Sequence, residues 1–254
     1  MFPHRILSAP NPLPPFFSKP LTRNALNAIR SALAKHAETH GFTPNSAETH
    51  AAVLIPLCNV GNVPGILLQV RGNRLRTHSG EVSFPGGRVD PTDVDFEAGA
   101  IRETDEELGI NSSQIEILGQ IFPPELSLGG LRVWSYVGFV HSAQSRDATV
   151  DPESPLPSLS MDSLTLSPQE VAHAFHLPFS VMVAPARLRT HLFRGKTPYW
   201  AVDVSDRVPG HTIAWANDPE QRDEIGGGRA GRLEVWGLTG WYLSLFMKLF
   251  DVYR

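Results

Sequence analysis

The residues from Gly80 to Ile110 constrain this chain more than any others. They open Gly80-Glu81-Val82-Ser83-Phe84-Pro85-Gly86-Gly87, cross an acid-rich loop, and continue Arg102-Glu103-Thr104-Asp105-Glu106-Glu107-Leu108-Gly109-Ile110. The pattern predicts a glycine turn followed by a helix over about Phe96 to Leu108, closed by Gly109 in the usual C-terminal position. Glu106 and Glu107 follow Glu103 by three and four residues, so a helix puts the three carboxylates on one face. There they repel one another, each pair costing about 0.2–0.5 kcal/mol when exposed. Such acidic runs are ordinarily solvated faces. Beside a hard divalent cation the same cluster becomes a binding site, because Mg²⁺ prefers oxygen ligands. A cation next to a glycine turn is what cleavage of a phosphoanhydride requires.

The order of the residues favours the second reading. The segment resembles the signature of the Nudix family, G-x5-E-x7-R-E-U-x-E-E-x-G-U, with U a bulky apolar residue. Gly87 is the leading glycine, and Arg102, Glu103, Glu106, Glu107, Gly109 and Ile110 fill the later fixed positions. Two departures are visible. Thr104 stands where an apolar residue is usual, and the interval from Gly87 to Arg102 is one residue longer. The early acid therefore has no aligned counterpart: Val94 occupies the position, between Asp93 and Asp95.

The resemblance implies an α/β chain, the Nudix α/β/α sandwich with a mixed sheet, here with an N-terminal extension. It also implies a pyrophosphohydrolase. Glu103 and Glu107 would be the main ligands of Mg²⁺ or Mn²⁺, Glu106 would complete the cluster directly or through water, and the Gly87 carbonyl would add a ligand. Arg102 would orient a carboxylate of the cluster; an ordinary helix salt bridge is its alternative. Glu81, Glu103 and Glu170 are candidates for the general base. Glu170-Val171 resembles a Glu-Val pair late in the family fold, and a helix-start role suits Glu170 as well.

A second pattern overlaps the first upstream. Leu67-Leu68-Gln69-Val70-Arg71-Gly72, then Arg76, Gly80, Phe84, Pro85, Gly86 and Gly87, resemble the additional motif of the coenzyme A diphosphatase branch of the family, L-L-T-x-R-[SA]-x3-R-x3-G-x3-F-P-G-G. Gln69 replaces Thr, and Gly72 replaces Ser or Ala. The longer glycine-to-arginine interval is expected in the same branch. Arg71, Arg74 and Arg76 form a basic cluster suited to the pyrophosphate and ribose 3′-phosphate of coenzyme A; a solvated strand end is the plainer account. With Gly86 and Gly87 they are the candidate substrate-binding residues. Two rivals stand beside a coenzyme A diphosphatase. One is a Nudix hydrolase of another nucleoside diphosphate compound, such as an oxidised nucleotide, NADH or a sugar nucleotide. The other is a non-catalytic binding module, against which the intact acids and Arg102 count.

Composition adds limits. The 254 residues carry a formal charge of −4, which argues against a general nucleic-acid binder but not against a small anionic substrate. Cys58 is the single cysteine, so no intramolecular disulfide exists, and its apolar surroundings predict a buried thiol. No apolar run approaches a membrane span. Arg5, Lys19, Arg23, Arg30 and Lys35 all precede the first acid, Glu38, a start compatible with a mitochondrial transit peptide. Pro10, Pro12, Pro14, Pro15 and Pro20 oppose the amphipathic helix that such a peptide needs. The final Asp251-Val252-Tyr253-Arg254 is not a peroxisomal address. The expectation is an intracellular protein, cytoplasmic or mitochondrial, with a homodimer left open.

Along the chain, residues 1–20 read as a proline-rich, extended or disordered segment and 21–254 as one domain. Thr22 is placed to cap a helix over about Arg23 to His40. Strands are predicted at Ala52–Leu57, Gly65–Val70, Ile115–Phe122, Leu131–His141, Pro198–Val204 and His211–Ala216. The stretch 142–168 reads as an inserted, mobile surface loop, and Ser167–Glu170 as the opening of a helix or turn. Gly226–Gly228 reads as a flexible turn before a last helix from about Leu233 to Phe250, with Trp236, Leu238, Trp241, Leu245 and Leu249 as core packing.

Overall fold

A pair of strands that start together and then part organises the molecule. The computed structural model describes residues 7–45, 47–72, 74, 78–142, 151–209 and 232–254. β1 (Thr49–Val60) and β2 (Val63–Arg71) form a hairpin whose antiparallel pairing runs from Val60↔Val63 to Leu57↔Ile66. Beyond Leu57 the two strands take different partners on the edge they shared. β3 (Val82–Ser83) pairs the far end of β2, with Gln69 opposite Ser83. β4 (Gly86–Arg88) pairs the far end of β1, with Ala52 opposite Gly87. The glycine turn thus fills the wedge between β1 and β2.

The remaining strands widen this seven-stranded mixed sheet. β6 (Leu131–Val140) runs parallel to β1 and antiparallel to β5 (Ile115–Leu126). β7 (Val171–Pro178) covers the other edge of β2. Residues alternate between two faces, as strand geometry requires. On one face Ala52, Leu54 and Leu67 pack with Ala100 and Leu108 of α2 (Phe96–Leu108). On the other, Ile55, Leu57 and Leu68 belong to the cluster that holds Leu26, Ile29 and Leu33 of α1 (Arg23–Thr39) and Leu243, Phe246 and Met247 of α4 (Gly237–Leu249). Helices on both faces of a mixed sheet make the α/β/α sandwich of the expected fold class. A short helix, α3 (Phe179–Met182), follows β7, and a second sheet pairs β8 (Leu188–Phe193), β9 (Thr197–Asp203) and β10 (Glu234–Val235) beside α4. Among the described residues no helix is long and apolar enough to cross a membrane.

Local signals set α1 and α2. Thr22 accepts the Ala25 N–H at 3.2 Å at the start of α1. Asp95 accepts the Ala98 N–H at 2.7 Å at the start of α2, and Gly109 closes α2 in the left-handed conformation.

Elsewhere the expectations need correction. The proline-rich start is anchored from Asn11 onward: the Asn11 N–H donates to the Val252 carbonyl, and Phe17 is buried against Phe179 and Phe250, ring centroids 4.1 and 5.0 Å apart. Over 151–168 the chain is irregular but fastened. Leu156 and Leu159 are buried, and their N–H groups donate to the carbonyls of Leu21 and Asn59. Ser167–Glu170, by contrast, forms the turn of the two forms expected, with the Glu170 N–H donating to the Ser167 carbonyl at 3.2 Å, and it leads into β7. Leu233–Val235 does not begin the last helix, because Glu234 and Val235 pair with β9. Of the apolar stripe read on that helix, Trp241 is buried, while Leu238, Leu245 and Leu249 are partly so. Strand β8 was not foreseen. The expected strand at His211–Ala216 and the turn at Gly226–Gly228 lie outside the described residues.

Two polar side chains tie distant segments to this frame. Asn59 is fully buried; its Oδ1 accepts the Leu21 N–H at 2.7 Å, and its Nδ2 donates to the carbonyls of Leu21 and Leu156 at 3.0 and 2.9 Å. Glu116 of β5 accepts from His141 at 2.8 Å and from Arg23 and Arg30 of α1 at 2.7 Å each. The His141 bond first, then the two arginines, holds its carboxyl well below the ordinary range.

Two predictions follow from these ties. Asn59→Ala leaves buried backbone groups unpaired and is expected to cost about 2–4 kcal/mol, measured by denaturant unfolding. A carboxyl depressed in the folded state stabilises above its unfolded pKa and loses that contribution as pH falls towards its folded value. Glu116→Gln should therefore lower the melting temperature at pH 7, and the gap from the parent should narrow on acidification to about pH 3.

Candidate active site

Gly86 and Gly87 bring the chain close against its neighbours, and at Gly86 no side chain fits. Gly86 has φ +145°, and a Cβ there would lie 2.3 Å from the Ala52 carbonyl oxygen. This close seat beside β1 lets the Gly86 N–H reach across the sheet face to α2, where it donates to Glu107 Oε2 at 2.8 Å. A Cβ on Gly87 would lie 2.6 Å from the carboxylate of Glu103. The turn thus brings bare backbone against two acids one helical turn apart.

The three acids differ in setting. Glu107 is 3% exposed, and burial pushes its carboxyl up to about 7, against the opposing pull of the Gly86 N–H. Burial also raises Glu103, with Arg102 opposing. Glu106 is exposed. Arg102 joins the group: its Nη1 donates to Glu103 Oε1 and Glu106 Oε2, each at 3.1 Å, and its Nη2 to the Arg88 carbonyl at 3.0 Å. Thr104, at the position where an apolar residue is usual, is buried and returns its hydroxyl to the Ala100 carbonyl at 2.7 Å, so its polar atom is satisfied within the helix.

Asp93 completes the arrangement in a way that the sequence did not reveal. Its two oxygens take Arg102 Nε and Nη2 at 2.9 and 3.0 Å, a bidentate pair that fixes the guanidinium plane. That bond is also the main reason why the Asp93 carboxyl lies below its ordinary range. Val94, at the place of the missing early acid, is 89% exposed. The available signal was an aspartate nine residues before the arginine, an interval with no helical or strand period.

Of the basic cluster, Arg71 ends β2, half-buried and beside Glu107, with an Nε that is buried and unpartnered. Arg74 is exposed, and Arg76 lies outside the described residues. Gly72 departs from the Ser or Ala of the motif for a local reason. Its N–H donates to the Glu170 carbonyl at 2.7 Å, and a Cβ there would meet the Gln169 carbonyl oxygen at 2.9 Å. That contact places Glu170 near enough to Glu103 to raise its pKa further. Glu81 pairs with His78 at 3.0 Å.

The donor set is all oxygen and carries more negative charge than Arg102 balances, which suits a hard divalent cation. Glu103, Glu106, Glu107 and the Gly87 carbonyl are the groups that could hold one. As the side chains stand, no three acids or histidines among the described residues enclose a cation. Arg102 holds Glu103 and Glu106, whose carboxylates would have to turn. The buried Glu107, for which burial outweighs the pull of its partners, and the space that Gly87 leaves for Glu103 are the two observations that fit an ion.

Comparison with known proteins shows the family. The NUDIX domain profile matches residues 48–178. The chain is 41% identical over 189 residues to the Nudix hydrolase NudL of Escherichia coli O7:K1, covering 74% of this chain and 76% of that one. It is 36% identical over 202 residues to NudL of Citrobacter koseri, covering 80% and 82%. Both relatives are described as uncharacterized. Among solved structures, a Caenorhabditis elegans Ap4A hydrolase binary complex overlaps 51% of this chain and 80% of its own at 21% identity, with a TM-score of 0.35.

The two glycines should separate folding from chemistry. Gly86→Ala meets backbone and a forbidden φ, and is expected to lose about 3 kcal/mol or more. Gly87→Ala meets only the movable end of Glu103. It should stay within about 1 kcal/mol of the parent in denaturant unfolding while losing most hydrolytic activity.

Proposed function

Because this chain belongs to the Nudix family and is a hydrolase of pyrophosphate bonds in nucleoside diphosphate derivatives, we propose that its substrate is coenzyme A or an acyl ester of it. Water attacks one phosphorus, the phosphoanhydride breaks, and the products are 3′,5′-ADP and 4′-phosphopantetheine or its acyl form. Arg71 carries this reading. It stands at the wedge beside Glu107 with an unpaired, buried Nε, and a guanidinium so placed calls for an anion. Coenzyme A has a 3′-phosphate besides its pyrophosphate, and Arg74 and Arg76 follow within five residues of Arg71. The longer interval before Arg102 supports the same branch. Of the two departures in the upstream motif, Gly72 answers to the packing of Gln169 and so does not weigh against it.

We assign the roles accordingly. Glu103, Glu106 and Glu107, with the Gly87 carbonyl, would hold Mg²⁺ or Mn²⁺. Such an ion would supply a water of lowered pKa and neutralise charge on the pyrophosphate oxygens. The Gly86 N–H pins one oxygen of Glu107. Arg102, locked by Asp93, holds the Glu103 and Glu106 carboxylates in the metal-free chain, and they would turn from it to an ion. Arg71 binds a phosphate. Glu81, Glu103 and Glu170 are the acids from which the acceptor of the water's proton comes.

Mass-spectrometric product analysis with Mg²⁺ or Mn²⁺ tests this, on coenzyme A, NADH and an oxidised deoxynucleoside triphosphate in parallel. Release of 3′,5′-ADP from coenzyme A alone is expected; turnover of either other compound instead would overturn the substrate assignment. Glu107→Gln should cut turnover at least about a hundredfold. Its melting temperature without metal should equal or exceed that of the parent, because a buried charge is removed. Full activity in that variant would remove Glu107 from the site.

A further inference from the structure

Four of the buried polar atoms without partners among the described residues lie together, beside Glu107. Gln69 is 0% exposed, and neither atom of its amide closes a hydrogen bond. Ser83 Oγ and Arg71 Nε are buried and unpaired as well. Gln69 lies directly opposite Ser83 in the β2–β3 ladder, so both side chains leave the same face of the sheet, and Arg71, two residues on, shares it. That is the face of Leu67, which packs in the cluster of Ala100 and Leu108 from α2. The Gln69 amide faces the Glu107 carboxylate closely enough to pull its pKa down, short of the geometry of a full hydrogen bond. An unpaired buried amide is costly. A leucine or methionine there would suit the fold better, so the amide calls for a partner supplied by the working site.

We propose that Gln69 is a positioning residue for Glu107. Its amide N–H donates to Oε1, the oxygen that Gly86 leaves free, while the Ser83 hydroxyl donates to the Gln69 carbonyl and fixes which end of the amide faces the acid. Glu107 is then gripped through both oxygens and presents its remaining lone pairs to the cation. β2 and β3 are already in register, with Gln69 directly opposite Ser83. The inference rests on the metal-site reading above.

The test is Mn²⁺ binding to the full-length, metal-free chain by electron paramagnetic resonance, with metal-free melting temperatures alongside. Gln69→Met keeps the volume and removes the donor. It should melt no lower than the parent yet bind Mn²⁺ about 10–100-fold more weakly, with KM for coenzyme A at saturating Mn²⁺ unchanged. Ser83→Ala, a smaller change, should weaken Mn²⁺ in the same direction by severalfold. A purely structural Gln69 would shift the melting temperature and leave the affinity of the folded protein alone. Parent-like Mn²⁺ affinity in both variants overturns the inference while Glu107→Gln still loses the ion. A parent chain that binds no Mn²⁺ overturns the metal-site reading and this inference together.

Discussion

The parting of β1 and β2 is the constraint on which the rest of the molecule depends. Two strands that begin as a hairpin and then diverge leave backbone donors and acceptors without partners, and buried backbone groups do not stay unpaired. The short strands β3 and β4 fill the gap, one on each side. Their connection must pass close over β1, and only glycine tolerates the approach at residue 86. A backbone N–H is thereby delivered to Glu107 from a direction that no helix or regular strand supplies. The chemistry of the site begins as a hydrogen-bonding problem in the sheet.

The acids on α2 show how one acidic helix face is kept from unravelling. Like charges on adjacent turns repel, and burial penalises two of them further. Arg102 offsets part of this, and Asp93 holds Arg102 in a single plane. The arrangement is asymmetric. Glu106 faces solvent, Glu103 is partly covered, and Glu107 is deep against the turn.

Much of this was legible in the sequence, for identifiable reasons. The boundaries of α2 follow from Asp95 and Gly109, caps that act within four residues of the backbone they serve. The acids, Arg102 and the glycine pair carry fixed intervals. What escaped depends on contacts between distant segments. Asp93 serves Arg102 across a loop. Leu156 and Leu159 sit among serines and prolines with no period, yet both find the core. Phe17 follows a run of prolines and closes against Phe179 and Phe250. Strand β7 carries His173 and His176 among its apolar residues, and its alternation is weak because it lies beside β2 with both faces covered in part. Gln69 read as a departure from a motif; the ladder set it opposite Ser83.

Asn59 has a consequence for how the molecule holds together in time. The β1–β2 hairpin is local and could form early by its own contacts. It carries, however, a buried amide whose partners are Leu21, thirty-eight residues before it, and Leu156, ninety-seven residues after it. Until both arrive the hairpin harbours an unsatisfied polar group, and it gains little by forming alone. Local opening of either strap exposes the same penalty at the centre of the sheet. Partial unfolding at the periphery is thereby coupled to the strands that seat the glycine turn, and the body that bears the acids opens as a cooperative unit.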